Sequence, residues 1–279
     1  MIEANRILFG TAGVPLSTEK KNSPVDGVKK IHELGLDCMQ LEFAHGVRMK
    51  DEVSAALRRA SYELGVPLTS HGPYYINLNA REQDKIDSSI ERIIQTAKIS
   101  DLCGAESMTF HAAFYMKDSP EDVFDLVEKS MNVIEERLAR LDIEIELRPE
   151  LTGKTSQFGS LDELVSLTNK INSCSPCMDF SHLYARTGQY NTYEEFSEII
   201  DQLGDDIGSQ ASDNMHIQIS GVKLTSKGDL KHTNLEDSTF NWKELMRALK
   251  DKNCRGYCIS NSPNLEKDAL MIKDYYMSL

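Results

Sequence analysis

The sequence predicts one (β/α)8 barrel, a TIM barrel occupying residues 1–279, and three observations carry that expectation. Eight short β-prone apolar runs recur at similar intervals, segments of helical period separate them, and five of the seven histidines lie in those runs or in the stretches that follow them. No Pro/Gly/Ser-rich linker or composition break divides the chain.

The runs, in order, are Ile7–Gly10, Cys38–Phe43, Pro67–His71, Ser107–His111, Ile143–Leu147, Pro176–Asp179, Met215–Ile219 and Gly256–Ile259. Between them, Ile86, Ile90, Ile93, Ile94 and Ala97, then Val123, Leu126, Val127, Val133, Ile134 and Leu138, repeat with helical period. Ser119-Pro120 offers an N-cap with proline in the first turn, Ser160/Glu163 and Thr192/Glu195 have capping-box spacing, and Ser262-Pro263 marks a helix start after the eighth run. Gly10-Thr11-Ala12-Gly13 lacks both the P-loop lysine and GxGxxG spacing, so it reads as a first-strand turn with close backbone packing. Strand followed by helix, eight times in one domain, favours a closed barrel over an open sheet.

Composition narrows the class. Hydrophobic residues make up 40% and charged residues 27%, as in a soluble protein with a large core. No stretch has the length of a membrane span, and the start lacks a secretory apolar region, so a cytoplasmic chain with reduced thiols is expected. Six cysteines are too few for a disulfide framework; Cys174-Ser175-Pro176-Cys177 and Cys254/Cys258 have spacings a structural zinc accepts, but packing as small hydrophobes is the better reading. The formal charge of −13 argues against a polyanionic partner only weakly, because screening over about 8 Å leaves local charge to decide.

In such a barrel the site is built at the carboxyl ends of the strands, which gathers His71, His111, His182, His216 and His232. His32 and His45 lie outside the set. Asp179 and His182, three apart where the sixth strand ends, add a carboxylate, and imidazole with carboxylate is the donor mixture for zinc or manganese. Glu150 is the natural bridging carboxylate, with Glu146 its competitor inside the fifth strand; Arg148 and Lys154 flank it, to meet phosphate or pair with acids.

These residues resemble the endonuclease IV family of abasic-site endonucleases, within the xylose-isomerase-like barrels. The resemblance runs from Gly10-Thr11-Ala12-Gly13 through His71-Gly72-Pro73-Tyr74-Tyr75-Ile76-Asn77-Leu78 to Ser262-Pro263-Asn264-Leu265-Glu266. It implies zinc ions held by His71, His111 and Glu150, by Glu150, Asp179 and His216, and by His182 and His232. It further implies Glu150 and Asp179 as catalytic groups, and hydrolysis 5′ to an abasic site leaving a 3′-hydroxyl and a 5′-deoxyribose phosphate. Two departures stand out: Asp229 precedes His232 by three residues where the family has Asp-x-His, and Asn261 replaces a ligand glutamate before Ser262-Pro263. Two or three ions are therefore expected, zinc or alternatively manganese.

Tyr74 matches an aromatic wedge for the DNA stack, and Lys223, Lys227 and Lys231 make the loop after the seventh strand locally basic. The expected partner is double-stranded DNA containing abasic sites, bound by a monomer. Two other readings remain open: a sugar isomerase or epimerase on the same barrel, and a catalytically weakened DNA-binding relative, motivated by Asn261.

Overall fold

The structure, a computed structural model, describes residues 5–223 and 231–279. Eight parallel strands form the barrel wall: β1 (Ile7–Ala12), β2 (Cys38–Glu42), β3 (Leu68–His71), β4 (Ala105–Phe110), β5 (Glu146–Pro149), β6 (Cys177–Asp179), β7 (Met215–Ile219) and β10 (Gly256–Ser260). They hydrogen-bond in the order β5-β4-β3-β2-β1-β10-β7-β6. Between β5 and β6 the ring closes through isolated parallel bridges, Leu147 with Cys174 and Glu150 with Cys177. A two-residue ribbon, β8 (Gly221–Val222) with β9 (His232–Thr233), follows β7. Each of the eight runs read from the sequence contributes residues to a wall strand, the fifth only at Glu146 and Leu147.

Helices return the chain from each strand end to the start of the next, as parallel neighbours require. Ser119 caps Pro120–Arg140 by accepting from the Asp122 N–H, and both expected capping boxes form, at Ser160/Glu163 and Thr192/Glu195. In Pro120–Arg140 the buried stripe is Val123, Val127, Met131, Ile134 and Leu138, while Leu126 and Val133 sit at its exposed edges. Burial of each stripe residue contributes about 1.5–3 kcal/mol, enough to fix which helix face meets the wall. Among the described residues, no helix is long and apolar enough to cross a membrane.

Three local expectations shift. The first strand runs through Ala12, and the turn begins at Gly13, whose φ is +92°. A Cβ on Gly10 would stand 2.0 Å from the Cys38 carbonyl oxygen, so this glycine permits close approach of β1 and β2. The fifth strand begins at Glu146, because its register is set by β4, Ser107 to Phe110 pairing with Glu146 to Pro149. The last helix starts at Glu266, beyond Ser262-Pro263, since Leu265 adopts a left-handed φ of 39° that no helix can include.

The barrel interior divides by polarity. Ala12, Cys38, Tyr257 and Ile259 form an apolar cluster where β1, β2 and β10 meet. Opposite lies a polar column: Arg148 is buried and donates to Glu146 and to the carbonyls of Pro176 and Asn214. His216 spans the interior, its Nε2 3.0 Å from Gln40 Oε1 and its Nδ1 3.3 Å from Ser107 Oγ. Gln40 in turn donates to Glu42 Oε1 at 2.8 Å. Burial, reinforced by the Arg148 charge, pushes the His216 pKa down to about 3, so this imidazole folds neutral.

A histidine whose pKa falls from 6.5 to about 3 on folding supports stability fully above about pH 6.5 and loses that support as pH falls toward 3, because only the unfolded chain takes up the proton in that window. His216→Gln should therefore flatten the acid limb of the stability curve by up to about 1.4 kcal/mol per pH unit between those limits. Urea denaturation at stepped pH checks this.

Candidate metal centre

Glu150 is the hub. It follows β5 at the mouth of the barrel, buried, with its backbone N–H bonded to the Phe110 carbonyl. His71 ends β3 and His111 follows β4, so three adjacent strand ends deliver three side chains to one point. His71 Nε2 lies 3.1 Å from Glu150 Oε2, and His111 Nε2 lies 3.2 Å from Oε1. Glu146 instead pairs with Arg148 and stays away from the histidines. Burial alone would raise the Glu150 pKa, but the His111 charge and hydrogen bonds from His111, His182 and His71 hold it well below the ordinary carboxylate range.

Asp179 arrives by a different local device. It is both the last residue of β6 and the N-cap of a short helix, Phe180–Thr187, and its Oδ1 accepts the His182 N–H at 2.8 Å. The sequence spacing of three is thus the first turn of a helix. That turn sets His182 Nδ1 3.3 Å from Asp179 Oδ2 and 3.3 Å from Glu150 Oε1. Asp179 Oδ2 is buried with no hydrogen-bond partner. Burial raises the Asp179 pKa, against the pull of His182.

Backbone carbonyls fix the imidazoles. The Gly72 carbonyl lies 2.7 Å from His71 Nδ1, the Leu151 carbonyl 3.1 Å from His182 Nδ1, and the Asn261 carbonyl 3.1 Å from His232 Nδ1. Carbonyl oxygen only accepts, so each Nδ1 carries the hydrogen and each Nε2 presents its lone pair when the ring is neutral. His182 Nε2 and His232 Nε2 then face each other at 3.1 Å, and His71 Nε2 faces a carboxylate oxygen. Such pairs need a proton or a cation between them. Without a cation His71 keeps a proton: burial opposes this, but Glu150 and Glu42 raise its pKa to about 9.

The donors fit a divalent ion. Ligands about 2.0–2.1 Å from a tetrahedral centre stand about 3.3 Å apart, close to the separations here. His71, His111 and Glu150 form one group able to hold an ion, and Glu150, Asp179 and His182 form a second. Asp179 Oδ2, buried without a hydrogen bond, belongs to that second group.

His216 does not join them. Within β7 it pairs in register with Cys177 and Tyr257, whereas Gln218 pairs with Asp179. Both side chains share one face, two residues or about 6.6 Å apart along the strand, so His216 remains in the core and Gln218 reaches the site. Gln218 Nε2 donates to Glu150 Oε2 at 3.0 Å, and Asn261 Nδ2 donates to Gln218 Oε1 at 3.0 Å. The expectation that His216 is a ligand is corrected by that register. Asp229 and Lys227 lie outside the described residues.

Tyr74 is 52% exposed, its ring centroid 5.4 Å from that of His71 and 6.2 Å from that of His111. Lys223 and Lys231 are exposed beside the ribbon that carries His232. Arg148, committed to Glu146 inside the barrel, is turned away from the mouth, while Lys154 is exposed. All six cysteines are buried free thiols, and burial pushes the Cys174 pKa up to about 12 and that of Cys177 well above its usual value. None of them enters a metal-capable group among the described residues. Sequence reasoning overlooked Gln218, Gln40 and Glu42; the alternation of His216, Gln218 and Ser220 was the available signal for the first.

Comparison with known proteins follows the same lines. A protein of Methanocaldococcus jannaschii described as uncharacterised is 40% identical over 274 residues, 98% of either chain. A probable endonuclease 4 of Aster yellows witches'-broom phytoplasma is 25% identical over 186 residues, covering 65% of this chain and 62% of the relative. Among solved structures, endonuclease IV from Thermus thermophilus superimposes with a TM-score of 0.74 at 21% identity, over 96% of this chain and all of that one. A D-tagatose 3-epimerase-like protein gives 0.72 at 16%, over 96% and 97%, so these two likenesses speak for the fold alone. The profile of the xylose isomerase-like TIM barrel family matches residues 28–274. This chain belongs to that family.

Proposed function

We propose that this protein is a zinc-dependent endonuclease that hydrolyses the DNA phosphodiester 5′ to an abasic site, leaving a 3′-hydroxyl and a 5′-deoxyribose phosphate. The observation that carries the reading is the Glu150 hub with its surplus of donors: four imidazoles and two carboxylates converge at the barrel mouth. A sugar isomerase working with one ion needs fewer. Manganese suits the same donors, and the names of the endonuclease 4 relatives agree in direction.

In this reading His71, His111 and Glu150 hold one ion, and Glu150, Asp179 and His182 hold another, with His232 facing His182. Bound divalent ions would supply positive charge to the phosphate oxygens and acidify water for the attack. Glu150 and Asp179 are the catalytic carboxylates: both are buried, so they orient at the mouth without the solvent competition an exposed acid meets. Tyr74 supplies a stacking face where an abasic site leaves little stacking to break, and Lys223 and Lys231 meet the backbone. The acidic total charge is compatible with this, because helix surfaces more than about 8 Å away are screened. The protein acts as a cytoplasmic monomer.

The competing reading, a sugar epimerase, draws on the shared barrel of the D-tagatose 3-epimerase-like protein, and Asn261 stands in place of a glutamate in either reading. One assay separates them. A duplex with a single tetrahydrofuran abasic analogue should be incised, with incision abolished by chelator and restored by zinc. Binding without incision points to a weakened relative, and absence of DNA binding to a sugar enzyme.

Two substitutions refine the test. His111→Ala should lower incision by more than the roughly 10–100-fold typical of losing an outer partner of a metal ligand, with zinc content reduced in parallel. Tyr74→Ala should leave zinc content unchanged and raise KM for abasic duplex about tenfold, the scale of one lost stacking contact. Steady-state incision with metal analysis reads both.

A further inference from the structure

The two sides of Glu150 differ in kind. Towards β3, β4 and β6 it faces imidazole nitrogens; towards β7 and β10 it faces Gln218 and, behind it, Asn261. The direction of these amides follows from their partners. Gln218 presents its NH2 group to Glu150 Oε2 at 3.0 Å. Its oxygen then faces Asn261, which must donate through Nδ2. The Asn261 backbone carbonyl meanwhile accepts from His232 Nδ1, which anchors the far end of the run to the ribbon.

Oε2 is therefore occupied twice, by the His71 ring and by an amide N–H. A cation approaching from β7 and β10 would have to displace that N–H and would meet amide hydrogens, which carry partial positive charge, in place of ligand lone pairs. Gln218 is fully buried with its oxygen held by Asn261 Nδ2, so turning that oxygen towards a cation would set its NH2 against the Asn261 NH2. We propose that the Gln218–Asn261 amide pair closes this side of the cluster to metal, so that the protein binds two divalent ions, at His71/His111/Glu150 and at Glu150/Asp179/His182, where the resemblance implies three. This rests on the metal-dependent reading above and fixes its stoichiometry.

The test is a zinc count by native mass spectrometry on the metal-stripped, reloaded full chain, with no activity readout. Two ions per wild-type chain are expected, and three in the Gln218→His, Asn261→Glu double variant, with circular dichroism confirming that it is folded. Three ions in the wild type would overturn the closure while leaving the metal reading intact, and one would overturn the stoichiometry. No bound zinc at all would overturn the metal reading and this inference with it. A folded double variant that still binds two would show that the amides are not what excludes the third. The wild-type count stands even if the double variant fails to fold.

Discussion

A carboxylate buried at the mouth of the barrel must be balanced, and the arrangement around Glu150 answers that constraint. An ionised acid removed from water costs several kcal/mol unless positive charge or hydrogen bonds compensate. Here three imidazoles and one amide converge on its two oxygens. Four wall strands supply those groups or their immediate neighbours, so the closure of the barrel and the assembly of the site are one event.

Two hydrogen-bonded runs support the mouth from below and from the side. One passes from Ser107 through His216 and Gln40 to Glu42; the other from Asn261 through Gln218 to Glu150. Each begins at a neutral group and ends on a carboxylate. Glu42, opposite His71 in register, has its pKa raised by burial against the pull of that histidine, so the two carboxylates differ: Glu150 is held charged and Glu42 is eased toward neutrality. The polar column thus carries the requirements of the site deep into the barrel, beside the small apolar cluster of Ala12, Cys38, Tyr257 and Ile259.

The architecture was legible because it rests on local patterns. Apolar runs gave the eight strands, and Ser119, Ser160 and Thr192 announced their helices through cap chemistry that acts within four residues. His71 and His111 were legible as members of the site because each stands where its run ends. Register along β7 was not. His216 and Gln218 share a face, and which one reaches the mouth depends on pairing with β6 and β10, a contact between distant segments. The fifth strand shifted for the same reason, its start being set by β4.

The most direct test of the Glu150 hub is diffraction at the zinc absorption edge from crystals grown with zinc. The account predicts an anomalous peak about 2.0–2.2 Å from a Glu150 carboxylate oxygen and from the Nε2 atoms of His71 and His111. Glu150 bonded directly to those histidines, with no anomalous signal between them, would contradict it.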